Sequence, residues 1–68
     1  MNDTLSTPDP SRFYPVAFFV RHFNISATTA RAWLATAEDA GADAMGPRGG
    51  ARRWRLESVE RVLKQVWA

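Results

Sequence analysis

Sixty-eight residues and 7.6 kDa leave room for one small domain with a thin core, because a chain of this size buries only about 60% of the surface it exposes when unfolded. The absence of cysteine and the single histidine exclude disulfides, thiol catalysis and a multi-histidine metal site, and no cofactor is expected. The net charge of +2 hides an uneven distribution: residues 12–68 hold all nine basic residues and five of the seven acidic ones, a net of +4.

The 46% hydrophobic share is that of a globular chain. No apolar run approaches the ~18 residues of a membrane span, and no basic start followed by an apolar stretch marks a signal peptide. The expectation is a soluble, cytoplasmic domain without a membrane partner.

The opening stretch, residues 1–11, is polar, small and Pro-containing, with Leu5 its one strongly apolar residue. It reads as a disordered N-terminal arm, which leaves 12–68 as the folded domain. Val16, Phe19, Val20 and Phe23 then recur at i, i+3, i+4 and i+7 and predict a first helix over about 15–23. Pro15 suits its start, and Asn24 suits a left-handed exit. Ser26 is a good N-cap for a second helix over about 27–40, whose apolar face is Ala30, Trp33, Leu34 and Ala37. Residues 41–50 hold all four glycines and one proline, which ends the helix.

The run Arg52-Arg53-Trp54-Arg55-Leu56 alternates polar and apolar with period 2. It predicts a strand over 52–55, paired with a short strand around 44–46 across a Gly-rich tip. Trp54 and Leu56 should then point inward, and Arg53 and Arg55 outward. A last helix, about 57–67, carries Val59, Val62, Leu63 and Val66 at helical spacing. The predicted fold is mainly α with a small β-hairpin: three helices plus a two-stranded wing, a winged helix-turn-helix.

Function points to a polyanion. Residues 12–34 contain Arg12, Arg21 and Arg31 and no acid, and residues 48–55 contain Arg48, Arg52, Arg53 and Arg55 and no acid. Such acid-free blocks attract phosphate, and arginine's planar fork suits phosphate and base edges. A helix, a short turn at Asn24-Ile25, a Ser26 cap and a second helix starting with small residues form a helix-turn-helix pattern. In such a unit the first-turn residues reach base edges or phosphates of double-stranded DNA, and Ala27, Thr28 and Thr29 are small enough to enter the major groove. Arg48, Gly49, Gly50, Arg52, Arg53 and Arg55 are the candidate wing contacts, with the glycines giving a bendable cationic tip. About four to six phosphate contacts are expected.

His22 reads as a packed or exposed helix residue, and Trp33 and Trp54 as core, with Trp67 covering one end. Phe18 has two readings, an exposed contact for a partner or a ring packed under the terminal helix. Neither a nucleophile–base pair nor a phosphate-binding glycine loop is visible, so no enzymatic activity is expected.

The run from Tyr14 to Leu34, together with Arg52-Arg-Trp-Arg-Leu-Glu-Ser-Val-Glu-Arg-Val-Leu63, resembles the MerR-like winged-helix superfamily and its small phage-type excisionases. The resemblance spans about residues 14–67. Val20 stands where the family favours Ala, Asn24 where it favours Gly, Phe18 where a polar residue is usual, and Leu56 where a Ser or Thr cap is common.

The resemblance implies that Ser26, Ala27, Thr28, Thr29 and Arg31 enter or flank the major groove, in an excisionase, or recombination directionality factor, that binds and bends attachment-site DNA and steers an integrase of the tyrosine type toward excision. It further implies a bacterial or phage-encoded origin. The chain ends one residue after Trp67, without the dimerising helix of full MerR-type regulators, so a monomer in free solution and cooperative self-association on DNA are expected. The alternatives are a small transcriptional regulator of a phage or mobile element and a non-DNA protein-interaction module.

Overall fold

The computed structural model describes residues 7–47 and 51–67. Along the chain it forms β1 (Phe13–Pro15), α1 (Val16–Phe23), α2 (Ala27–Asp39), β2 (Ala44–Met45), β3 (Arg53–Arg55) and α3 (Leu56–Val66). Three helices and a small antiparallel sheet make the winged-helix-like architecture that the patterning predicts.

The sheet has three strands, in the order β1-β3-β2, where the sequence predicts two. The added strand β1 aligns Phe13 with Arg55, Tyr14 with Trp54 and Pro15 with Arg53. Pro15 has no N–H to donate, and it is tolerated because β1 is an edge strand. On the other side, Ala44 faces Trp54 and Met45 faces Arg53.

Local chemistry sets both ends of the helix-turn-helix. Asn24 adopts the left-handed conformation at φ 56°, ψ 54°, and the Ile25 N–H donates to the Val20 carbonyl at 3.1 Å, which closes α1. Two residues later the Ser26 hydroxyl accepts from the Thr29 N–H at 3.1 Å and starts α2. Gly41, at φ 107°, turns the chain out of α2 in a conformation open to glycine.

The core lies where the three helices meet under the sheet. Phe19, Leu34, Ala37, Ala42, Leu56, Val59, Val62 and Leu63 are its buried residues, with Trp33 and Trp54 packed against it. Each of the large ones contributes about 1.5–3 kcal/mol by leaving water. Phe19, fully buried, meets the edge of Trp54 at 6.4 Å and the ring of Phe23 at 5.9 Å between centroids. Trp67 meets Trp33 edge-on at 4.7 Å yet remains 54% exposed, so it covers one end of the core only in part. Phe18 packs: it is stacked between Tyr14 at 4.0 Å and His22 at 5.2 Å and is half-buried. His22 Nε2 lies 2.8 Å from Glu60 Oε2 and links α1 to α3.

The N-terminal segment corrects the expected arm. Residues 1–6 of that arm lie outside the described residues, but residues 9–11 are hydrogen-bonded into the fold. The Asp9 carboxylate accepts from the Ser11 N–H at 2.9 Å and the Ser11 hydroxyl at 2.7 Å, and the Arg12 N–H donates to the Asp9 carbonyl at 3.1 Å. These two bonds to Ser11 hold the Asp9 carboxyl below its ordinary value of 3.8. The turn aims carbonyls at α3: the Leu56 N–H donates to Arg12 at 3.1 Å and the Glu57 N–H to Pro10 at 2.9 Å. Leu56 can therefore be a buried core residue where a side-chain cap is common. The cap is supplied by distant backbone.

Candidate nucleic-acid interface

α2 divides into two faces. Ala30, Leu34 and Ala37 are buried, whereas Ala27, Thr28, Arg31, Ala32, Ala35, Thr36 and Asp39 are exposed. The exposed side is made mostly of small residues, with one long cation near its start and one acid, Asp39, in its last turn; no acid occupies the first turn. Such a surface fits the width of a major groove, and the helix N-terminus adds partial positive charge.

The five expected recognition residues all sit at this end, but they are not equally available. Ser26 and Thr29 are engaged with each other, since the Ser26 hydroxyl accepts from the Thr29 N–H and donates to the Thr29 hydroxyl at 2.9 Å. Their first duty is the cap. Ala27, Thr28 and Arg31 face outward, and Ala32, Ala35 and Thr36 extend the same face. These last three were missed as site residues, although the complement of the buried stripe, at the same helical period, marks them in the sequence.

The wing differs more from expectation. Arg48, Gly49 and Gly50 lie outside the described residues. Arg53 is exposed on β3 as expected. Arg52 is not a free cation: its side chain is only 20% exposed, with Nε 3.0 Å from Glu38 Oε1, one terminal nitrogen 2.7 Å from Glu38 Oε2, and the other terminal nitrogen on the Gly46 carbonyl. This planar two-point pairing is the geometry a guanidinium forms best, and the Glu38 carboxylate holds the Arg52 guanidinium above its ordinary pKa.

Arg55 is also drawn in rather than projecting. Its guanidinium carbon lies 5.0 Å from the centre of the Phe13 ring, with Nε 3.5 Å from Asp43 and a terminal nitrogen 3.8 Å from Glu57. That Nε is enclosed without a hydrogen bond, so charge and the aromatic face hold the side chain. The physical reason for both corrections is the same. Period-2 alternation assigns a side of the strand, but carboxylates brought by α2 and the β2 approach decide whether a cation there stays free.

Glu38 is the residue that sequence reasoning missed. Besides Arg52, its Oε1 accepts from the Trp54 indole N–H at 3.0 Å. In the sequence it is one of three acids between the basic blocks, and nothing local distinguishes it from Asp39 or Asp43.

Among the described residues, Arg12, Arg21, Arg31, Arg53, Arg61 and Lys64 are exposed cations that form no ion pair; of these, Arg31 lies on the outward face of α2 and Arg53 on the wing. No group of three or more His, Cys, Asp or Glu among the described residues is placed to hold a metal ion. None of the described helices is long and apolar enough to cross a membrane.

No family model, curated protein or solved structure matches the chain.

Proposed function

We propose that the chain is a double-stranded DNA-binding module that lays the exposed face of α2 in the major groove and the wing along the neighbouring backbone. The observation that carries this reading is the outward face of α2: small side chains, no acid in the first turn, and Arg31 one turn in. Arg31 and Arg53 supply the phosphate charge, with Arg21 and Arg48 as further candidates. Thr28 is the first candidate for a base edge. Within this class the proposed role is that of an excisionase-type architectural factor acting beside a tyrosine-type integrase. This finer role draws on the resemblance of residues 14–67 to the MerR-like superfamily.

A module of this size covers ~600–1,000 Å² and reads few base pairs. Adjacent copies on a long site, monomeric when free, would supply the missing specificity.

A salt series of gel shifts tests the DNA reading. With Arg52 and Arg55 paired internally, about four contacts remain, and log K should fall with log[salt] with a slope of about −3 to −4. Arg31→Ala should weaken binding to all sequences, whereas Thr28→Ala should alter site preference, because phosphate contacts position and base contacts specify. A slope near zero would remove DNA as the partner. An excision assay with the cognate integrase, with and without the protein, separates the architectural role from that of a promoter-bound regulator.

A further inference from the structure

We infer that Glu38 is a positioning residue: it locks the wing to the recognition helix, so that α2 and the β2–β3 hairpin meet DNA as one rigid unit. The inference deepens the DNA-binding reading and rests on it for its consequence, but the lock itself is a property of the free protein.

Apart from Glu38, the wing is held mainly at its base. Its base is tied to α3: the Asp43 N–H donates to the buried Ser58 hydroxyl at 2.8 Å, the Arg55 N–H donates to the Asp43 carbonyl at 3.0 Å, and the Trp54 ring packs on the core. Farther out the strands are short. β2 has two residues, and its Met45 is 52% exposed. β1 supports β3 only as far as Arg53, so beyond Met45 and Arg53 the hairpin has no third strand, and a two-stranded ribbon is marginal in water on its own.

The Glu38 node supplies what the ribbon lacks. Glu38 lies in the last turn of α2, and its two oxygens reach both Arg52 and Trp54. Arg52 reaches on to the Gly46 carbonyl on the opposite side of the hairpin. One carboxylate thereby connects the end of α2 with both arms of the wing. Gly46 completes the fit: at φ 96° it adopts a conformation side chains rarely take, and a Cβ there would lie 2.9 Å from the Ala51 carbonyl oxygen. The close approach that places the Gly46 carbonyl beside Arg52 requires glycine.

Arg52 must be an arginine for this. Its fork spans Glu38 while a third nitrogen serves Gly46, and a lysine ammonium, a point charge on a flexible stem, cannot present that planar set.

Simple electrostatics and positioning predict opposite signs. If Glu38 were only a negative charge near DNA, Glu38→Ala would remove repulsion, free a cation and tighten binding. If it positions the wing, Glu38→Ala weakens binding although the protein becomes more basic. The expected loss is about tenfold, the size of a lost wing contact. Arg52→Lys, which keeps the charge, should weaken binding in the same direction. Glu38→Ala combined with Arg53→Ala should lose less than the two separately, because both act through the wing, while Glu38→Ala and Arg31→Ala should add.

The experiment pairs these affinities with NMR of the free protein. In Glu38→Ala the Trp54 indole N–H resonance should move toward that of a solvent-bonded indole, and the amides of Met45 and Arg53 should exchange faster, with the amides of α1 and α3 unchanged. Glu38→Gln, which keeps an acceptor of the same shape, should show the same signs to a smaller extent and serves if the alanine variant fails to fold. Tighter DNA binding by Glu38→Ala, or unchanged wing exchange, overturns the inference. If the wild-type protein does not bind DNA, the function reading falls, while the wing-exchange arm still decides whether Glu38 locks the hairpin.

Discussion

Helices α2 and α3 both begin with N–H groups that have no partner inside the helix, and they find those partners at very different sequence distances. At α2 the cap is three residues away: Ser26 accepts from the Thr29 N–H. At α3 the N-cap residue Arg55 offers no side-chain bond, and the acceptors are the carbonyls of Pro10 and Arg12, more than about 40 residues upstream. A local cap leaves the surroundings of the helix start open, and the first turn of α2 is free to meet a ligand. A remote cap closes the helix start and makes another segment part of the fold. The start of α2 is thus built from short-range bonds and the start of α3 from long-range ones.

The largest expected effect comes from removing the remote cap. Deleting residues 1–11 takes away the Pro10 carbonyl and the Asp9 turn and puts a charged amine at Arg12, beside the positive end of α3. Losing these bonds and adding that repulsion should lower stability by about 2 kcal/mol, read as a reduced urea midpoint. A truncated protein as stable as the full chain would mean that the 7–12 segment is an accessory to α3 and not its cap.

The local cap should matter less. Ser26→Ala removes one acceptor at an exposed site and should cost about 1 kcal/mol, again by urea unfolding, with faster amide exchange confined to the first turn of α2. Ser26→Asp should restore the stability, because a carboxylate caps as well. If the DNA reading holds, Ser26→Asp should also weaken DNA binding, since it places a negative charge at the groove-facing end. Equal losses from Ser26→Ala and the truncation would erase the contrast between the two ends.

The smallest effect is on pH. The Asp9 carboxylate is held below 3.8 by its bonds to Ser11, so its stabilising contribution is fully present above that pH and is lost as the pH falls through the lowered value in the folded protein. Asp9→Asn should therefore lower stability slightly at neutral pH, where that contribution is present, and flatten the acid limb below about pH 4, so that the two proteins converge at low pH. A matching acid limb in both proteins would show that the turn does not need the carboxylate's charge. An effect as large at pH 7 as at pH 3 would show that Asp9 acts through something other than ionisation.

Much of this molecule is legible in the sequence because the signals are local. Phe19 and Phe23 at helical spacing, Asn24 at the left-handed exit and Ser26 at the next start each act within four residues of their partners. Periodicity also separates the buried Ala30, Leu34 and Ala37 from the outward Thr28 and Arg31. The same logic could have found Ala32, Ala35 and Thr36, which occupy the complementary stripe of α2.

What the sequence could not decide are pairings between distant segments. Three residues, Phe13 to Pro15, carry too short a pattern to announce a strand, and they become β1 only because Arg53–Arg55 supply a partner edge. The end of the 1–11 stretch looks like a polar arm because nothing nearby needs the Pro10 carbonyl; α3 does. Four arginines in residues 48–55 count equally in a charge sum, yet Glu38 takes Arg52, while Asp43 and the Phe13 ring take Arg55. Helical period, caps and turns depend on bonds and sterics a few residues apart, so the chain alone determines the helix-turn-helix. Which cations remain free and what holds the wing depend on electrostatics acting through space over a few ångströms, and only tertiary structure brings those groups that close.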